Sequence, residues 1–301
     1  MVKILSPKND VVFQKLFGTE QHKEILISFL NSILIKSGNE EIKSISIEEK
    51  RLDVSILVDE KLSILDIYVT TNHNVHINVE IQLINKYNMI ERTLFYWSKM
   101  YMNQIKKGVD YSKLNKTITI NILDFDYIDT IKYHSWYHLY EAEEQNKLTD
   151  ILEIHFVELN KFNKANKEYN DKLQKWLQFI INPCSEEVQS IMVKDHEIKE
   201  AMDILSQISG DEEIVRLAEM REKAILDENT RLNAAKKQGI ELGEIKARRE
   251  DILDNLKEIG EVSKELISII ESESNIDKLK KWLRFSIKCE SIEEFIQKID
   301  A

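Results

Sequence analysis

The sequence predicts an α/β fold followed by an all-helical C-terminal region. Three observations predict it. Several runs in the first half alternate apolar and polar residues with period two, the pattern of strands. Apolar residues recur at helical spacing before and between those runs. From about residue 165 onward only the helical pattern continues. The chain has 301 residues, 43% apolar and 32% charged, which excludes a disordered class and allows a proper core. Only 7 Gly and 2 Pro argue for long helices and few tight turns.

Each element has its local reason. In "SPKNDVVFQKLFG", Ser6-Pro7 reads as an N-cap and first helical residue, Val12, Phe13, Leu16 and Phe17 follow at helical spacing, and Gly18 closes the turn. "TEQHKEILISFLNSILIKSG" is a second helix with Ile25, Leu26, Phe29, Leu30 and Ile33 as its buried stripe and Gly38 as its C-cap. "IKSISIEE" is a short strand. "LSILDIYVTT" and "VHINVEIQLI" form an antiparallel hairpin across the polar turn "TNHN". "YNMIERTLFYWSKMYMNQIKKG" is a long helix that ends at Gly108. "KTITINILDF" is a strand with Ile118, Ile120 and Ile122 on one face. "SWYHLYEA" and "LEIHFVEL" are two further strands around a charged loop. In "KLQKWLQFIINP", Trp176 and Phe179 suit core packing. The segment from "DEEIVRL" to "NLKEIG" is one long polar helix, and two or three short helices follow.

The charge is uneven. Residues 1–120 carry 16 Lys/Arg against 14 Asp/Glu, a net +2, and residues 121–301 carry 26 against 39, a net −13, which together give the chain's −11. Within 86–120 seven basic residues, Arg92 and Lys99 among them, face two acidic ones. That stretch is either a solvated helix face or a phosphate-binding surface. No apolar run approaches the ~18–20 residues that span a bilayer. "MVKILSPKND" has no secretory apolar region, and Cys184 and Cys289 show no metal-like spacing. A cytoplasmic protein without a membrane partner is expected. The seven histidines form no zinc pattern, and no Gly-rich phosphate loop is present.

Chemistry points to the hairpin. In "INVEIQ", period two puts Glu80 and Gln82 opposite Ile77, Val79 and Ile81, and in "SILDIYV" it puts Asp66 opposite Leu65 and Ile67. With the apolar faces together, Asp66, Glu80 and Gln82 share one wet face. Two carboxylates held close are costly unless neutralised. A hard divalent cation such as Mg2+ neutralises them, and the third residue then orients a water on it. An ordinary solvated strand face carries the same residue types.

The spacing D-x(n)-E-x-Q, with "SPKNDVVFQKLFG", "EILISFLNSIL", "ILDIYVTTN", "ERTLFYWSKMYMNQIKKGVDY" and "LEIHFVEL" in order around it, resembles the Rpn recombination-promoting nucleases. That family is a branch of the PD-(D/E)XK nuclease superfamily whose members also go by PD-(D/E)XK family transposases. The resemblance covers roughly residues 4–165. It implies a restriction-endonuclease-like core, a mixed sheet flanked by helices. The change of pattern near residue 165 and the break at Gly210 divide the chain into a nuclease-like domain at 1–165, a helical extension at 166–210, and a long polar helix with a helical tail at 211–301. The resemblance implies a metal-dependent DNA endonuclease linked to recombination and transposition. The cofactor would be Mg2+, with Mn2+ or Ca2+ as alternatives. Asp66 and Glu80 would hold the ion, and Gln82 would stand where most of the superfamily has Lys. Arg92, Tyr96, Lys99 and Gln104 would bind substrate, and Asp10 would approach from the first helix. Arg92 also suits an exposed helix position, and Tyr96 a core one. A neutral Gln cannot hold positive charge against a developing phosphorane, so the alternative is a weak or inactive nuclease fold that binds DNA or protein. Self-association is expected of the helical C-terminal region.

Overall fold

The computed structural model describes residues 3–48, 67–105, 108 and 110–299. Six strands form one mixed sheet: β1 (Ile45–Ile47), β2 (Ile67–Thr71), β3 (His76–Gln82), β4 (Thr117–Leu123), β5 (His134–Tyr140) and β6 (Lys147–Glu158). Their order is β1-β2-β3-β4-β6-β5. The hairpin β2–β3 is antiparallel, β3, β4 and β6 are parallel, and β5 returns antiparallel at the edge. The parallel step from β3 to β4 requires a crossover. The helix α3 (Met89–Met102) supplies it.

One face of the sheet is apolar by alternation. Ile67 and Val69 on β2, Ile77, Val79 and Ile81 on β3, and Ile118, Ile120 and Ile122 on β4 share one core with the N-terminal helices. Those are α1 (Asp10–Phe17) and α2 (Lys23–Leu34). After β6 come α4 (Leu159–Lys164), α5 (Lys172–Ile181), α6 (Glu186–Met192) and α7 (His196–Ile208). Trp176 on α5 is fully buried, with ring centroids 5.6 Å from Phe17 and 5.8 Å from Phe29. The opposite face lies under α3, which packs Tyr96 and Met100 onto Tyr68 of β2.

Two local expectations shift. The cap of α1 is Asn9, whose side chain accepts from the Val11 N–H at 3.1 Å; Ser6 lies a turn earlier and bonds Asn9 through its carbonyl. An Asn at this position satisfies an orphan N–H that Pro7 upstream does not reach. Gly18 ends α1 as expected, because a Cβ there would sit 2.6 Å from the Gln14 carbonyl. The helix α3 ends at Met102 rather than at Gly108. There the Gln104 side chain takes over, donating to Thr117 Oγ1 at 2.8 Å and accepting from the Asn115 N–H at 2.7 Å. The long polar helix is α8 (Glu212–Ile259), followed by α9 (Lys264–Ser272), α10 (Ile276–Lys288) and α11 (Ile292–Ile299). The chain divides into two compact units, residues 1–225 and 226–301. The second has its own core, built on Ile252, Leu256, Leu279, Trp282 and Phe295. No described helix is long and apolar enough to cross a membrane.

On the apolar face of β6 runs a buried polar chain. Glu153 accepts from His155 Nε2 at 2.7 Å, and His155 Nδ1 lies 2.9 Å from His134 Nε2. Lys116 closes the far end at 2.6 Å from Glu153. Burial opposes the Glu153 charge, but the bonds from His155 and Lys116 outweigh it and hold the carboxyl well below the usual range. Burial, then the neighbouring His155 and Lys36, pushes His134 down to about 3 from 6.5. Between about pH 6.5 and pH 3 the unfolded chain therefore takes up a proton that folded His134 refuses. Stability from this group is present above that window and lost as the pH falls through it. Replacing His134→Gln, which can still donate to His155, should make the fall of Tm on acidification shallower. Parallel pH profiles for both proteins would contradict this account.

Candidate active site

The second face of β3 is polar, and it is not wet. Asn78 and Glu80 are 2% and 3% exposed, where the alternation predicts a solvated face. The cause is α3, which the sequence places next in the chain and the parallel crossover lays across this face. Thr93 bonds Asn121 Oδ1 at 3.1 Å, and the Trp97 indole donates to the Thr117 carbonyl at 2.8 Å. Glu80 lies beside Asn121 in register, and Asn78 lies beside Thr119.

Glu80 is the centre of this layer. Its Oε1 accepts from Asn78 Nδ2 at 3.2 Å. Its Oε2 lies 3.3 Å from Arg92 Nη2. That contact is an ion pair without the alignment of a hydrogen bond, so Oε2 has no hydrogen-bond partner among the described residues. Asn78 Oδ1, Thr119 Oγ1 and Arg92 Nε are also buried without one. Burial pushes the Glu80 carboxyl above its ordinary value, against the Arg92 charge and contacts from Asn78 and Gln82. The Arg92 guanidinium in turn lies 5.2 Å from the Tyr96 ring centroid, a cation–π distance.

The other expected residues fall into three groups. Gln82 is half-buried at the end of β3, close enough to Glu80 to favour its charged form, and its carbonyl accepts from the Asp124 N–H at 2.9 Å. Tyr96 is buried against Tyr68 and at the same time flanks Arg92, so its core and cleft readings both describe it. Gln104 stands apart from the Glu80 layer. The Lys99 ammonium lies over Phe95 at 5.3 Å, and Gln104 is spent on the N-terminal end of β4, away from the end where Gln82 lies. Asp10 pairs with Arg221 of α8 at 2.6 Å and caps the first turn of α1. Asp66 lies outside the described residues, as do Lys106 and Lys107. Two residues enter that sequence reasoning does not single out. Asn78 shares Glu80's face by the same alternation that selects Glu80, so its signal is present. Lys8 reaches Asp124 at 2.8 Å beside the end of β3, and nothing in "SPKND" signals that long-range contact.

A hard divalent cation fits what is on this face. The donor set is oxygen, from a carboxylate whose buried Oε2 lacks a hydrogen bond and from the Asn78 and Thr119 side chains. Among the described residues no group of three His, Cys, Asp or Glu converges.

A family model for PD-(D/E)XK nuclease family transposases matches residues 7–235. The chain belongs to that family. The match runs past β6, through α4–α7 and into α8. The mixed sheet flanked by helices is accordingly the nuclease core of this family. No curated protein and no solved structure matches the chain.

The Glu80–Arg92 pair sets a stability expectation for the family member described here. Removing one partner of a buried pair leaves the other charge uncompensated. Arg92→Ala should destabilise the metal-free protein by roughly 2 kcal/mol, less than a fully buried pair because the Arg92 side chain is 30% exposed. Adding Glu80→Gln should recover most of that loss. Urea unfolding of the two variants checks it, and a double variant no more stable than Arg92→Ala would refute the coupling.

Proposed function

We propose that this chain is a Mg2+-dependent DNA endonuclease that hydrolyses phosphodiester bonds in recombination or transposition. The observation that carries the reading is Glu80, a carboxylate taken out of water that has, among the described residues, one oxygen lacking a hydrogen bond and Arg92 as its ion-pair partner. Such a group is costly to keep unless it serves a ligand. Membership of a nuclease family supports the same reading.

In this reading Asp66 and Glu80 hold the cation. Asp66 directly precedes Ile67, which pairs with Val79 next to Glu80. The cation, when bound, polarises the phosphodiester and lowers the pKa of a coordinated water. The chain's own residues do the rest. Asn78 fixes the Glu80 carboxylate through Oε1, leaving Oε2 for the ion. Arg92 neutralises Glu80 in the metal-free protein and turns to a phosphate oxygen when substrate arrives, its orientation held by Tyr96. Gln82 positions the attacking water by hydrogen bonding, without the charge of a lysine. Self-association through α8 belongs to the proposal, supported by exposed Leu226, Ile240 and Leu242 on that helix.

Purified protein should nick supercoiled plasmid with Mg2+ and stop on addition of EDTA. Asp66→Ala and Glu80→Ala should each lower the rate by about 100-fold or more, the scale of a lost electrostatic contribution to the transition state. Nicking by Asp66→Ala at the wild-type rate would sink the assignment. Salt-dependent DNA binding with no cleavage under any divalent ion would favour the binding-module reading instead.

A further inference from the structure

The second unit concentrates positive charge on a single helix. α10 carries five Lys/Arg and one Asp, whereas elsewhere in residues 226–301 acids outnumber bases 16 to 9. Its buried stripe is Leu279, Trp282 and Ser286, spaced i, i+3, i+7. Lys281, Arg284 and Lys288 repeat that spacing on the opposite side, and all three are exposed. Several bases of the unit sit beside acids: Arg248 with Glu244, Lys257 with Asp254, Lys298 with Glu294, and on α10 itself Lys278 with Glu273 and Lys280 with Asp277. Among the described residues no acidic side chain pairs with Lys281, Arg284 or Lys288, and the nearest aromatic contact is Lys281 over Phe285 at 5.5 Å. Three like charges at i, i+3 and i+7 repel one another, a small standing cost.

The surroundings of α10 are built to hold it firmly. It follows α9 after the three residues Glu273, Ser274 and Asn275. Asn275 caps it, accepting from the Asp277 and Lys278 N–H groups. The Arg249 guanidinium of α8 donates to the Glu273 carbonyl at 3.0 Å, and Asn255 bonds Ser286 at 3.1 Å. Two helices joined by a three-residue turn, the second one basic and exposed, form the connectivity of a helix-turn-helix unit.

We propose that α10 is a second DNA-binding element, separate from the Glu80 site, which lays Lys281, Arg284 and Lys288 along duplex phosphates. Charge complementarity selects a polyanion. A rigid helix of this width enters the major groove of B-form DNA, while the deep, narrow major groove of A-form RNA does not admit it.

Binding is measured on the full-length protein in EDTA, where no cleavage can occur, by fluorescence anisotropy with a labelled DNA duplex of about two turns. The triple substitution Lys281→Gln, Arg284→Gln, Lys288→Gln should weaken binding at least tenfold at low salt. It should also lower the slope of log affinity against log salt by about 2–3, near 0.9 for each lost phosphate contact. Arg284→Gln alone should lower the slope by about 1. Replacing Lys281→Arg and Lys288→Arg should preserve binding. Unchanged affinity and slope in the triple variant would overturn the proposal. So would a loss confined to an acidic polypeptide probe such as polyglutamate, or equal affinity for an RNA duplex. Failure of Asp66→Ala to affect nicking leaves these binding outcomes intact, so the two readings fail separately.

Discussion

A carboxylate withdrawn from water needs a counter-charge, and among the described residues Arg92 provides it for Glu80. Much of the site architecture follows from that requirement. The crossover α3 must lie across the polar face of β3 so that Arg92 can reach Glu80. The same crossover excludes water from Asn78, Thr119 and Asn121, so the face that holds the carboxylate also becomes a low-dielectric layer in which its charge is strongly felt. Tyr96 flanks the guanidinium, and Tyr68 packs against Tyr96. A chain that had only to be stable would gain by replacing this layer with apolar residues.

The sheet carries a second polar system on its other face, and the two are built differently. The Lys116–Glu153–His155–His134 chain satisfies its members one by one with bonds between 2.6 and 2.9 Å. The Glu80 layer leaves four buried polar atoms without hydrogen bonds among the described residues. A closed network behaves as structure, and an open one has capacity left for a ligand. The contrast within one sheet separates a fold-stabilising cluster from a candidate site without reference to any relative.

Much of the fold was legible because period two and period 3.6 are local. "INVEIQ" by itself separates Ile77, Val79 and Ile81 from Asn78, Glu80 and Gln82, and the structure keeps that separation. A strand sequence cannot reveal what covers its second face, so the wet reading of Glu80 was natural and incorrect. The partner that covers it stands twelve residues on, at Arg92, and its approach depends on the direction of the crossover rather than on spacing. Helix ends were the weakest part. Asn9 displaces Ser6 as cap, and Gln104 ends α3 through bonds to a strand that lies later in the chain. Lys8 beside Asp124 belongs to the same class, a contact between residues 116 apart.

β4 has consequences on the time axis. Every one of its seven residues is buried, with β3 on one flank, β6 on the other, and helices over both faces. Its amide hydrogens have no route to solvent short of opening the whole sheet, which places the strand at the slow end of hydrogen exchange. Glu80 lies in register beside Asn121 of that strand. The backbone that carries the carboxylate therefore shares the persistence of the sheet, while the Glu80 and Arg92 side chains still change rotamer on far shorter times.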